Sequence, residues 1–253
     1  MIKIYAPIFL KFHAEKLAET IISLGYEAEV TNEVKDDDSL YILYCAFQVT
    51  NLPKKYIVYQ CEQWGSHWFG KHYWGIINGA LQVWEFAENN IDKYPIELES
   101  KVVHVPAGLI NGRMQEKDID VVFYGAVNKH REDVLNQIRN NKIHITCIQD
   151  KYGEEMIDIL SRAKVVINIH FYEKGHLETF RINEALSCGC HVVSERNDTA
   201  FYPKKYGDLV WYGSNATELS LAIKKALEMP FKYELSPLCN KEYIKHALSK
   251  LIS

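Results

Sequence analysis

The stretch from His170 to Glu195 (H-F-Y-E-K-G-H-L-E-T-F-R-I-N-E-A-L-S-C-G-C-H-V-V-S-E) concentrates residue types that handle phosphates and sugars. Arg181, Glu184 and Cys188 recur at helical spacing, so they share one side of a helix. A guanidinium there can offset a diphosphate, and a carboxylate one turn on can accept from ribose hydroxyls. The same two residues can instead form an i,i+3 ion pair on a solvated helix, worth about 0.2–0.5 kcal/mol. His170 ends a very apolar run. It reads either as a donor to phosphate or sugar, or as a core histidine with its partners satisfied. Lys174, Gly175 and His176 lie in the same loop and carry the same two readings.

Such residues need a strand, a loop and a helix to place them. Lys164–Ile169 (K-V-V-I-N-I) has the largely apolar character of a parallel strand covered on both faces. Glu178 to Cys188 fits one helix, Gly189 ends it, and His191 to Ser194 resumes an apolar strand. Ligands of open α/β sheets sit beyond the carboxyl ends of the strands. The loop after Ile169 is such an end. The helix start at Glu178, Thr179 and Phe180 aims N–H groups and the positive end of the helix dipole at it. Gly125-Ala-Val-Asn-Lys-His-Arg131 is a second glycine turn between a strand and a helix, with Lys129 and Arg131 near the helix start. It reads as a cationic phosphate loop or as a plain turn with surface cations. It is not G-x-G-x-x-G, so a dinucleotide fingerprint is absent.

At 253 residues the chain can form one large domain or two small ones. A formal net charge of −4 argues against a nucleic-acid binder that relies on bulk positive charge. No apolar run reaches the ~18–20 residues needed to span a bilayer. The amino terminus lacks the layout of a signal peptide, its apolar runs being broken by lysine and proline. A cytoplasmic protein without a membrane span is expected. The six cysteines (Cys45, Cys61, Cys147, Cys188, Cys190 and Cys239) form no C-x-x-C pair, and all six read as reduced core thiols. There is no G-x-S-x-G, P-loop or H-E-x-x-H. Asp118-Ile-Asp120 opens a strand, the wrong end for a ligand. The Asp36 to Asp38 run reads as a solvated loop, and Glu85 with Glu88 as a polar helix start. No metal site is expected.

Strand patterns fall at Ile2–Ala6, Ala28–Thr31, Leu40–Ala46, Tyr56–Gln60, Leu81–Trp84 and Val102–Val105, with helical patterns at Phe12–Leu24 and Trp68–Ile77. Glu85–Tyr94 reads as a loop and short helix. The polar segment 109–117 reads as a linker. The alternation then restarts with strands at Asp120–Tyr124 and Ile143–Ile148, helices to Arg139 and over Glu154–Ala163, and the stretch described first. A strand at Asp208–Tyr212 and a helix over Glu218–Met229, capped by Asn215 or Thr217, follow. Lys241–Ile252 reads as a terminal helix.

The segment R-I-N-E-A-L-S-C-G-C-H-V-V-S-E resembles the donor-site signature of GT-B glycosyltransferases. The nearest branches are the family-4-like and spore-maturation-type ones, where a Glu precedes Ala-(Leu/Met)-x-x-Gly and a strand follows. Glu184 matches the second of the family's two glutamates; the first would fall on His176, where this chain departs. The resemblance implies an α/β fold of GT-B type, two Rossmann-like domains facing across a cleft. The first would be an acceptor domain over residues 1–108, with the helix at 240–253 packing back on it. The second would be a donor domain over 118–239. It also implies a nucleotide-sugar donor, a UDP-sugar first and a GDP-sugar next, with a glycan or other hydroxyl acceptor and no other cofactor. Glu184 would hold the ribose. Arg181, Lys129, Arg131, Gly125 and the helix start at Glu178, Thr179 and Phe180 would meet the diphosphate, with His170 and His176 near it. Ile148 and Tyr152, in the Ile148-Gln-Asp-Lys-Tyr152 loop, would meet the base. An inverting enzyme needs a base for the acceptor hydroxyl. Glu62 is the first choice, since its aromatic neighbours Trp64, Trp68 and Phe69 would raise its pKa; His67 and His13 follow. The alternatives are a non-catalytic nucleotide- or glycan-binding module on the same scaffold and an epimerase-like enzyme.

Overall fold

The computed structural model describes residues 1–172, 175–196 and 202–252. Two compact units are present: residues 1–108 with 239–253, and residues 109–238. The first unit opens with β1 (Ile2–Tyr5), α1 (Lys11–Ser23), β2 (Ala28–Thr31), β3 (Leu40–Tyr44), β4 (Tyr56–Gln60), α2 (Lys71–Gly79), β5 (Gln82–Glu85) and β6 (Val102–His104). Its sheet has six strands in the order β2-β1-β3-β4-β5-β6, with every adjacent pair parallel. β3 and β4 (L-Y-I-L-Y and Y-I-V-Y-Q) are almost wholly buried, as interior parallel strands must be. α1 lays His13, Ala14, Leu17, Ala18 and Ile21 into the core.

The second unit holds β7 (Ile119–Tyr124), α3 (Lys129–Asn140), β8 (Thr146–Ile148), α4 (Glu154–Arg162), β9 (Ala163–Asn168), α5 (Thr179–Ser187), β10 (His191–Glu195), β11 (Val210–Gly213) and α6 (Ala216–Glu228). Its five-stranded sheet runs β11-β10-β9-β7-β8, again all parallel. The chain leaves β7 toward β8 on one side and returns to β9 on the other, so the sheet's topological switch point lies between β7 and β9. Asn215 caps α6 by accepting from the N–H groups of Thr217 and Glu218 at 3.0 Å. The last helix, α7 (Lys241–Ile252), belongs to the first unit. There Gln82 Nε2 donates to the Ala247 carbonyl at 3.1 Å, and Asn240 Nδ2 to that of Pro106 at 3.0 Å.

Several expectations are corrected. The strand expected over Ile143–Ile148 pairs only at Thr146–Ile148. Ile143 and Ile145 are buried against the core without joining the ladder, so their apolar character reports burial rather than pairing. The helix expected from Trp68 begins at Lys71, because Trp68 to Gly70 closes a turn first, with Gly70 N donating to the Trp68 carbonyl at 2.8 Å. A 3-10 helix over Ile96–Lys101 was not anticipated. The Asp36 to Asp38 run is not merely solvated: Asp37 pairs with Lys3 at 2.6 Å and accepts from Ser39 N at 2.9 Å. That pairing brings the Asp37 pKa down to about 2. Glu85 is not a helix start; it is the fully buried last residue of β5. It accepts from Ala87 N (3.0 Å), Asn90 Nδ2 (3.1 Å) and the Tyr94 hydroxyl (2.7 Å). Burial outweighs those donors and raises its pKa to about 7. Cys147 and Cys239 are exposed rather than core thiols, Cys147 because β8 is an edge strand.

Candidate functional site

The carboxyl ends of β7 and β9 meet at the switch point, and both lead into polar loops. Gly125 follows β7 with φ +108, a conformation that side chains rarely adopt. A Cβ there would come within 2.8 Å of Arg181 Nη2, so glycine lets the backbone approach that guanidinium. Asn128 caps α3, accepting from Arg131 N at 3.0 Å, and its Nδ2 donates to the Phe171 carbonyl at 2.7 Å.

Arg131 is 2% exposed, which corrects its reading as a surface cation. Its Nε donates to the Ile169 carbonyl at 2.9 Å and its Nη1 to that of Ala126 at 2.7 Å. Its Nη2 lies 3.6 Å from Glu178 Oε1. Burial, then the charge of Arg181, lowers its pKa to about 9. His170, 1% exposed, contacts Glu178 Oε2 through Nδ1 at 2.9 Å and the Tyr202 hydroxyl through Nε2 at 3.1 Å. Burial opposes its protonation, but the contact with Glu178 and the charges of Glu178 and Glu195 prevail, and its pKa is raised.

Glu178 therefore stands among cations. It is the residue just before α5, and its carboxylate turns back onto the end of β9. Asn168 Nδ2 donates to its Oε2 at 2.9 Å. Burial alone would raise the Glu178 pKa, yet His170, Arg181 and Asn168 together bring it down to about 2. Arg181 stacks its guanidinium over the Tyr124 ring at 5.3 Å and donates to Asn168 Oδ1 at 3.4 Å. The Tyr124 hydroxyl donates to Glu184 Oε2 at 3.0 Å. Glu195, at the end of β10, accepts from His170 N at 3.0 Å and lies 2.9 Å from His130 Nε2.

The structure thus gathers Gly125, Arg131, His170, Glu178, Arg181 and Glu184 at one place. Thr179 is buried in the first turn of α5 and Phe180 is half-buried beside it. His176 is buried in the loop before α5. Ile148 ends β8, and its carbonyl accepts from Gly125 N at 3.2 Å. Tyr152 is 48% exposed. Lys129 does not join the cluster: it is exposed and pairs with Asp133 along α3 at 2.8 Å. Lys174 lies outside the described residues. Sequence reasoning missed Asn168, Glu195, His130 and Tyr124. Asn168 had a signal, as the one polar residue in an otherwise apolar strand core.

In the first unit, Glu62 follows β4. Burial raises its pKa to about 6 against the opposing hydrogen bonds of Gln63 and Ser66. Glu62 N donates to Gln60 Oε1 at 3.0 Å. His67 is exposed, its ring 4.4 Å from that of Trp68. His13 faces the core from α1.

Residues 113–232 match a family described as glycosyl transferase-like. The chain is 24% identical over 196 residues to the uncharacterized protein L140 of Acanthamoeba polyphaga mimivirus, covering 73% of this chain and 61% of that protein. It is 24% identical over 180 residues to the uncharacterized protein L138 of the same virus, covering 69% of this chain and 20% of that protein. It therefore spans less than two thirds of the length of either relative. Among solved structures it is similar to AviGT4, a glycosyltransferase involved in avilamycin A biosynthesis, with a TM-score of 0.55 and 10% identity, covering 100% of this chain and 97% of that one. WaaG, a glycosyltransferase involved in lipopolysaccharide biosynthesis, gives a TM-score of 0.53 and 9% identity, covering 100% of this chain and 95% of that one. TarM gives a TM-score of 0.51 and 12% identity, covering 87% and 56%. At these identities the structural likeness establishes the fold alone. The two parallel sheets are those of the GT-B fold, and the glycosyl transferase-like match falls on the second unit, where the cluster lies.

Proposed function

We propose that this chain transfers a sugar from a nucleotide-diphosphate sugar, a UDP-sugar before a GDP-sugar, to a hydroxyl of a glycan or other acceptor in the cytoplasm. The proposal extends to the family-4-like, spore-maturation-type branch. One observation carries it: Arg131, His170 and Arg181 converge on the switch point of the second unit's sheet, at the amino end of α5. Cations there offset the charge that develops on a leaving diphosphate, the work otherwise done by a divalent metal. Glu178 holds two of those cations, so the diphosphate takes over its partners when the donor binds. Glu184 accepts from Tyr124 and offers its carboxylate to the ribose. The second unit, within 118–239, serves the donor. The first unit, residues 1–108 with the helix at 240–253, serves the acceptor. Glu62 acts as base if the anomeric centre inverts, ahead of His67 and His13.

A second reading, nucleotide binding without turnover, draws on the resident carboxylate of Glu178 and on His176 at a position that is acidic in the family. A thermal-shift panel of UDP, GDP, dTDP and CMP sugars, followed by turnover assays in EDTA, separates the readings. Stabilisation by one nucleotide class, lost in Arg181→Ala, with metal-free transfer, supports the first. Binding with no turnover, unchanged in Glu62→Ala, supports the second. A nucleotide released together with a 2-epimer and no acceptor would point to an epimerase. No stabilisation by any nucleotide sugar would overturn all three.

A further inference from the structure

We infer that Cys45 and Cys61 form a redox-active dithiol, a modification site at which a peroxide joins two strand ends of the first unit through a disulfide. β3 and β4 are adjacent and parallel, with Tyr44 level with Tyr59. Cys45 and Cys61 each lie just past the carboxyl end of one of them, and their sulfurs are 3.8 Å apart. A disulfide requires about 2.0 Å, so closure needs roughly 1.8 Å of sulfur movement, within reach of side-chain rotation. Cys45 sits in the left-handed region at φ 48, an uncommon backbone state for a residue other than glycine.

The two thiols differ in a way that divides the work. Cys61 is half-buried and open to a small oxidant; Cys45 is 6% exposed. Burial shields Cys45 from the oxidant, so it does not react first; contact with Cys61, then burial, also raises the pKa of its thiol. The Cys61 thiolate attacks hydrogen peroxide; the O–O bond breaks, hydroxide leaves, and Cys61 becomes a sulfenic acid. The Cys45 sulfur then attacks the Cys61 sulfur. The S–O bond breaks, and the leaving hydroxide takes the Cys45 proton as water. In sum, two thiols and one peroxide yield one disulfide and two waters. The four other cysteines supply internal controls: Cys188 and Cys190 are buried, while Cys147 and Cys239 are exposed. The inference stands apart from the transferase reading, because it concerns thiol chemistry alone.

The test treats the folded chain with hydrogen peroxide, alkylates it in denaturant, digests it without reductant and maps peptides by mass spectrometry. The expected product is a Cys45 peptide joined to a Cys61 peptide with loss of two hydrogens, separated again by dithiothreitol. In Cys45→Ser, Cys61 sulfenic acid accumulates and is trapped by dimedone. In Cys61→Ser, Cys45 stays reduced at the peroxide dose that saturates the unsubstituted chain. Recovery of Cys45 and Cys61 as free thiols while Cys147 and Cys239 are oxidised would overturn the inference. So would a link that forms only after unfolding in urea. The mapping of the unsubstituted chain decides the matter even if a serine variant does not fold.

Discussion

Replacing Glu178 by glutamine tests the electrostatics of the cluster most directly. The carboxyl falls from 4.5 to about 2 on folding. At roughly 1.4 kcal/mol per unit, that is about 3 kcal/mol of stability. The group's side chain is 16% exposed, so solvent screening removes little of it. The sign follows from the direction of the shift. A lowered carboxyl pKa stabilises the fold above 4.5, and the contribution fades as pH falls toward about 2. His170 has the opposite sign: its pKa is raised, so its share is full below 6.5 and is lost as pH rises through the folded value. Urea unfolding followed by circular dichroism at pH 7, 5 and 3 reads both chains. Glu178→Gln should unfold about 3 kcal/mol more easily at pH 7 and 5, and the gap should narrow by about 2 kcal/mol by pH 3. A loss under about 1 kcal/mol at pH 7 would refute the reasoning. Parallel curves from pH 5 to 3 would also refute it, because the carboxylate would then owe nothing to Arg131, Arg181 and His170.

Three further outcomes are expected. If Glu62 takes the acceptor proton, transfer should rise with pH through about 6, and Glu62→Gln should remove that limb while leaving nucleotide-induced thermal stabilisation intact; an unchanged profile assigns the proton to another group. Glu85 carries a pKa raised to about 7, so ionisation costs stability as pH rises from 4.5 toward 7; relative to the unsubstituted chain, Glu85→Gln should gain about 3 kcal/mol between pH 4 and 8 in urea titrations. Gly125→Ala should cost about 1–3 kcal/mol by thermal unfolding, from the positive φ more than from the flexible Arg181 tip, and should weaken nucleotide binding.

The alternation of strands and helices was legible because interior parallel strands are predominantly apolar. β4 was read at its observed bounds, Tyr56–Gln60, and β9 within one residue at either end. Ile143 and Ile145 misled because an apolar residue records burial, and burial does not require a ladder partner. At the site, the Gly125 turn and the helix carrying Arg181 and Glu184 were visible as local patterns. The partners of Glu178 and Glu195 were not. The pairing of Ser194 with Asn168 brings Glu195 beside His170, and Arg131 reaches Ile169 from another helix, contacts set by strand order rather than by spacing. The ionic state of Glu85 was hidden for a similar reason. The i,i+3 spacing of Glu85 and Glu88 ahead of Asn89 and Asn90 suggests a polar helix start, while the position of Glu85 at the end of β5, between β4 and β6, seals it from water.

The division of the chain also orders its synthesis. The second unit is one continuous segment, complete once Leu238 has been made, whereas the first is split and regains its remaining piece only with α7. Until that helix arrives, Gln82 lacks the Ala247 carbonyl and Pro106 lacks the side chain of Asn240. Domains made earlier in synthesis usually fold earlier. Here the amino-terminal sheet is translated first yet sealed last, and a nascent chain would carry a finished second unit while the first still waits for its closing helix.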